Sequence, residues 1–309
     1  MRSKQDFIGV TYYKPTEIID LLEKALELKK ELKTSGKNKP ILAGKNLAMV
    51  FAKPSLRTRV SFEIGMQQLG GHALYISPNE IGLGTRESVK DVAKVLSGYA
   101  DGIMARVFAH DDILQLAEHA SVPVINGLTD FSHPCQAMAD ALTIKEEFGE
   151  LKGKKVVFIG DGNNVARSLL AVSVQLGMDY AIATPKGYEL HEKTAQEATA
   201  IATKTGSKIE FLNDPVEAVK GAHVLYADTW VSMGQEDEAA QRLKTFADYQ
   251  VNKELLVLAD SSAIVLHCLP AHRGTEITDE VMDGPQSRIF QQAENRLHAQ
   301  KAILVKLLS

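Results

Sequence analysis

The stretch LKGKKVVFIGDGNN, residues 151–164, decides the fold. A charged, glycine-punctuated entry leads into Val156–Ile159, the most strand-like run in the chain, and glycines then break it before a helical pattern begins. Strand, glycine turn and helix in that order open an α/β unit whose strands are covered on both faces. The turn also looks like the start of a dinucleotide site, but the fingerprint breaks. Its third glycine is due at 165, where Val165 stands. No acidic residue follows ~20 positions on to hold a ribose, because the next strand ends in Thr184-Pro185. A nicotinamide oxidoreductase is disfavoured on that ground. Asn163 and Asn164 stand in place of a pyrophosphate cradle, and their amides suit a polar, zwitterionic molecule. The plainer alternative is an Asn-rich turn satisfying its own backbone.

Outward from this unit the same alternation recurs. Strands are expected at Leu47–Phe51, His72–Ile76, Ile103–Val107 and Val122–Ile125 before it, and at Tyr180–Ala183, Lys208–Phe211, Val224–Tyr226 and Ala263–His267 after it. Helical patterns lie between them. Thr16–Leu32 carries Ile18, Leu22, Ala25 and Leu32 on one stripe, and Ser88–Ala100 spaces Val89, Ala93, Leu96 and Ala100 for one face. His133–Phe148 is a longer helix closed by Gly149, the expected domain boundary, and Arg296–Leu308 is a last amphipathic helix. The expected class is α/β: two doubly wound parallel-sheet domains with a cleft between them, residues 1–148 plus 291–309 and residues 149–290. The C-terminal helix returns to the first domain.

Composition limits the partners. At 309 residues, 45% hydrophobic and 24% charged, the chain can fill two ordinary cores. A formal net charge of −4 argues against nucleic acid as a partner, so any bound anion is small and held locally. Cys135 and Cys268, the two cysteines, lack metal-ligand spacing and fit a reducing compartment. Neither a signal region nor a membrane-length apolar run is present. The expectation is a cytoplasmic enzyme without metal or cofactor.

Chemistry concentrates at strand ends. In FAKPSLRTRVSFE, residues 51–63, a strand-to-helix turn carries two hydroxyls and several cations. N–H groups at a helix start carry the positive end of the helix dipole, Ser55 and Thr58 add donors, and Arg57 adds a planar fork. Phe62, Met66 and Leu69 are spaced to hold that helix in the core. Arg106 ends a strand-like run, and HPCQ places His133 and Gln136 one turn apart at a helix start. DTWVSMG, residues 228–234, reads as a loop closing over substrate, and HCLP, residues 267–270, puts Cys268 at the same sheet edge. For Cys268 the alternative is a small buried hydrophobe.

In this order SLRTR, MARVF, HPCQ, GDGNN, DTWVSMG and HCLP resemble the aspartate/ornithine carbamoyltransferase family, from about residue 6 onward. The last two motifs favour ornithine as acceptor over aspartate or putrescine. The resemblance implies carbamoyl transfer from carbamoyl phosphate to the δ-amine of L-ornithine in arginine biosynthesis. It gives carbamoyl phosphate to Ser55, Leu56, Arg57, Thr58, Arg106, His133, Gln136, Cys268, Leu269 and Arg296, and ornithine to Asn164, Asp228, Ser232 and Met233. Arg106, His133, Cys268 and Asp228 would take part in the chemistry. It further implies a homotrimer, with active sites shared between subunits. Two positions depart from the family pattern: Leu56 where Thr is usual, and Gly82 where Gln or His reaches a neighbouring subunit. An N-acylornithine or putrescine enzyme is the nearest alternative, and a non-catalytic relative a further one.

Overall fold

The computed structural model describes residues 5–232 and 234–309. They divide into two compact units, one ending at Leu142 and resuming at Glu294–Ser309, the other spanning Thr143–Ala293.

The first unit is built on a four-stranded parallel sheet, from β1 (Asn46–Phe51), β2 (His72–Ile76), β3 (Gly102–Arg106) and β4 (Val124–Leu128), in the order β2-β1-β3-β4. The central strands β1 and β3, and β4 at one edge, are short apolar runs buried almost throughout, as expected when helices cover both faces. Pairing of β1 with β3 sets Phe51 opposite Arg106, so the ends of both strands reach the same sheet edge. The helix Leu56–Gln68 buries Phe62 and Met66, and Leu69 just beyond it is also buried. The helix Pro15–Ser35 buries Ile18, Leu21, Leu22, Ala25 and Leu28. Leu32, expected on that stripe, is half-buried, because Leu28 fills the next position and Leu32 lies in the last turns before Gly36.

The second unit holds a five-stranded parallel sheet, in the order β7-β6-β5-β8-β9. Its strands are β5 (Lys155–Ile159), β6 (Asp179–Ala183), β7 (Ile209–Leu212), β8 (Val224–Ala227) and β9 (Ile264–His267). One core cluster joins Val157, Ile159, Leu225 and Val265 to Trp230 and Phe246. The order reverses at β5, so the turns after β5 and β8 emerge side by side at the carboxyl edge, where ligands of α/β sheets collect.

The C-terminal helix runs from Ile289 to Leu308, starting earlier than the sequence pattern indicated. Its apolar period is masked by polar residues that are nonetheless buried, among them Gln292, Asn295, His298, Gln300 and Lys301. No helix among the described residues is long and apolar enough to cross a membrane.

Candidate active site

In the first unit β1 ends at Phe51 and the chain turns through Lys53-Pro54 into the helix Leu56–Gln68. Ser55 is its N-cap: Oγ accepts from the Thr58 N–H at 3.3 Å and donates to Thr58 Oγ1 at 3.1 Å. The start of this helix is a favourable field for an anion. Leu56 is 74% exposed, so only its backbone can serve such a ligand. Its departure from Thr therefore costs the site no inward side chain.

Three distant segments meet at Arg296. Its Nη2 donates to Thr58 Oγ1 at 3.2 Å and its Nη1 to Gln136 Oε1 at 2.8 Å, while Gln136 Nε2 donates to Asp140 at 2.7 Å. Arg106 is buried at the end of β3, and His133 is buried beside the start of the helix Pro134–Phe148. Burial holds the His133 pKa well below its ordinary value, and the cations Arg296, Arg106, Lys53 and Arg57 push it the same way. The imidazole is therefore neutral at physiological pH and keeps one N–H to donate. Lys53 was not among the expected ligands. It is buried, its ammonium lies 4.6 Å over the Phe108 ring, and burial, then Arg106, lowers its pKa to about 8. Its place two residues before Ser55 was visible in the sequence, but its burial was not. Cys135 is packed away, donating to the Asn126 carbonyl at 3.4 Å, with its thiol pushed up to about 12 by burial.

In the second unit the acidic centre is Asp228, buried just after β8. Its Oδ2 accepts from Asn163 Nδ2 at 2.7 Å, and its Oδ1 from Cys268 Sγ at 3.0 Å and the Thr229 N–H at 2.8 Å. Asn163 also caps the helix Asn164–Gln175, its Oδ1 accepting from the N–H groups of Val165 and Ala166. The reading of an asparagine turned on its own backbone thus holds for Asn163, while Asn164 is half-buried as the first helical residue. Gly162 is required for a reason unrelated to nucleotides: a Cβ there would stand 2.5 Å from the Leu190 N atom. The HCLP turn is held by His267, whose Nδ1 accepts from the Leu269 N–H at 2.9 Å and whose Nε2 faces Glu276 at 3.2 Å. Leu269 has φ 59, a left-handed conformation uncommon outside glycine. Ser232 is half-buried, its N–H on Gln235 Oε1 at 3.0 Å, and Met233 lies outside the described residues.

Gly82 ends the short helix Pro78–Ile81 with φ 50, and a Cβ there would stand 2.7 Å from the Arg86 Cβ. A side chain at 82 does not fit this loop conformation. Arg86 is turned back, donating to the Glu80 carbonyl at 3.2 Å.

No group of three or more His, Cys, Asp or Glu residues placed to hold a metal ion occurs among the described residues. What the structure brings together is a cationic, hydroxyl-rich cluster in one unit and a carboxylate–thiol–amide cluster in the other.

Comparison with known proteins agrees along the whole length. The family model for the aspartate/ornithine carbamoyltransferase carbamoyl-P binding domain matches residues 5–146, and that for the Asp/Orn binding domain matches residues 152–307. An ornithine carbamoyltransferase of Pyrococcus horikoshii is 53% identical over 98% of this chain and 96% of its own. An anabolic ornithine carbamoyltransferase of Pyrococcus furiosus is 52% identical over 98% of this chain and 96% of its own. The solved structure of ornithine carbamoyltransferase from Pyrococcus furiosus superposes with a TM-score of 0.95 at 52% identity, covering 98% of this chain and 97% of that one.

Proposed function

The chain belongs to the aspartate/ornithine carbamoyltransferase family, and from that premise we propose that it makes L-citrulline and phosphate from carbamoyl phosphate and L-ornithine, in arginine biosynthesis. The observation that carries the choice of acceptor is the Asp228 carboxylate, held between Cys268 and Asn163. An anion flanked by small polar groups suits an amine substrate.

We assign carbamoyl-phosphate binding to residues 1–148 with 291–309, and ornithine binding to residues 149–290. Ser55, Arg57, Thr58 and the Leu56 backbone grip the phosphate, with the helix dipole neutralising it as it leaves. Arg106, His133 and Thr58 stabilise the charge that develops on the carbonyl oxygen, and a neutral His133 does so by donating its N–H. Gln136 takes the carbamoyl amide, Arg296 braces Thr58 and Gln136 beneath the substrate, and Cys268 and Leu269 complete the carbamoyl contacts. Asn164, Asp228, Ser232 and Met233 hold the amino-acid end of ornithine. The δ-amine must reach the carbonyl carbon uncharged, although a free alkylamine has a pKa near ~10. Asp228 and Cys268 orient it. The new C–N bond forms as the C–O bond to phosphate breaks, and the departing phosphate takes the amine's proton.

The same reading includes a homotrimer in the cytoplasm. Leu56, Val60 and Ile64 form an exposed apolar stripe along one helix, with Leu74 exposed on β2, a surface suited to another subunit.

Colorimetric citrulline assays with L-ornithine, N-acetylornithine and putrescine test the activity. Ornithine is expected to be used far better than either analogue. Preference for an analogue, or no product from any of the three, overturns the proposal.

A further inference from the structure

Arg242 is a buried cation to which none of the steps above gives a role. Its side chain is 6% exposed and enters from the helix Ala239–Thr245. Nη1 donates to Asp161 Oδ2 at 2.9 Å and to the Trp230 carbonyl at 3.0 Å, while Nε donates to Glu238 at 3.0 Å. The guanidinium also lies 4.9 Å from the centre of the Tyr188 ring. Its two inner partners belong to different arms of the ornithine half-site. Asp161 stands two residues before Asn163, which holds Asp228; Trp230 stands midway between Asp228 and Ser232.

We propose that Arg242 is a positioning residue for ornithine recognition, tying the 160–164 turn to the 228–232 loop through one guanidinium. The proposal rests on the assignment of those segments to ornithine. Taking both charges out of water is costly, and an apolar pair of similar volume would serve bulk stability as well or better. A planar fork with several fixed donors can bind a carboxylate and a carbonyl at once, which a lysine ammonium does less well. Burial raises the Asp161 pKa while Arg242 opposes it, so the guanidinium favours the charged carboxylate.

The test uses Arg242→Met, Asp161→Asn and the double variant in the intact protein. Readouts are the KM for ornithine, the Kd of carbamoyl phosphate by calorimetry, the unfolding midpoint, and the fluorescence of Trp230, the single tryptophan. Each single variant should raise the ornithine KM about tenfold or more, with carbamoyl-phosphate affinity within twofold, if a hydrogen bond to a charged group is lost. Trp230 emission should shift to the red and become more open to acrylamide. In the double variant no buried charge lacks its partner, so the midpoint should recover while the KM and the emission shift persist. Wild-type KM and emission in the folded double variant overturn the proposal, as does loss of affinity for both substrates in step with the midpoint. Asp161→Asn and the double variant keep the test open if Arg242→Met does not fold. Trp230 emission reports the loop without turnover, so a failure of the assigned reaction is distinguishable from a failure of the positioning.

Discussion

Around His133 four cations crowd one imidazole, whereas around Asp228 two side-chain donors and a backbone N–H crowd one carboxylate. The first arrangement concentrates positive charge, which suits the dianion proposed to bind there. Ser55, Arg106 and His133 stand at helix starts and a strand end, while Arg296, inside the last helix, locks Thr58 to Gln136. The second collects negative charge and fixes it by short bonds among loops. On the proposed assignment donor and acceptor are recognised by opposite fields, so damage to one cluster should leave affinity for the other substrate largely intact.

The sharpest way to break that contrast is Arg57→Gly. Removing a charged phosphate contact should cost carbamoyl-phosphate affinity about 100-fold or more by calorimetry. Retained affinity would remove Arg57 from the anion site. Next is Cys268→Ser, expected to lower kcat about tenfold, the worth of one hydrogen bond to a charged group. Carbamoyl-phosphate affinity should hardly move; unchanged turnover would reduce Cys268 to packing.

The smallest effect concerns the first unit's sensitivity to acid. His298 is fully buried, with Glu294 at 3.4 Å and the ammoniums of Lys301 and Lys29 acting on it. Burial, then Lys301, lowers its pKa to about 4. Above pH ~6.5 it is neutral folded or unfolded and contributes no pH dependence. Below that the unfolded chain binds a proton that the folded one refuses until about pH 4, so stability falls as pH falls through this window. His298→Gln should flatten the denaturant-derived slope there by about 1.4 kcal/mol per pH unit. An unchanged slope would show that the imidazole is protonated in the fold.

Local chemistry was what the sequence displayed best. The short apolar strands and the buried Phe62–Met66 face follow from neighbours within a turn or two. The junction of Arg296 with Thr58 and Gln136 does not, because its partners lie far apart along the chain and only folding brings them together. The family resemblance supplied Arg296 to the site; no periodicity did. Arg242 escaped notice because its helix reads as an ordinary charged surface segment, and its burial depends on Asp161, Tyr188 and Trp230 arriving from three other places. The early start of the C-terminal helix was hidden by buried polar residues, which carry the wrong hydropathy for the face they occupy.

That helix has a consequence for how the protein is made. The first unit is interrupted in the chain by the whole of the second, and Arg296 follows the interruption. Domains tend to fold in the order in which they emerge during synthesis. A growing chain can therefore pair all four strands of its first sheet before the guanidinium that joins Thr58 to Gln136 has been translated. Translation order keeps this junction incomplete until the second unit has been synthesised.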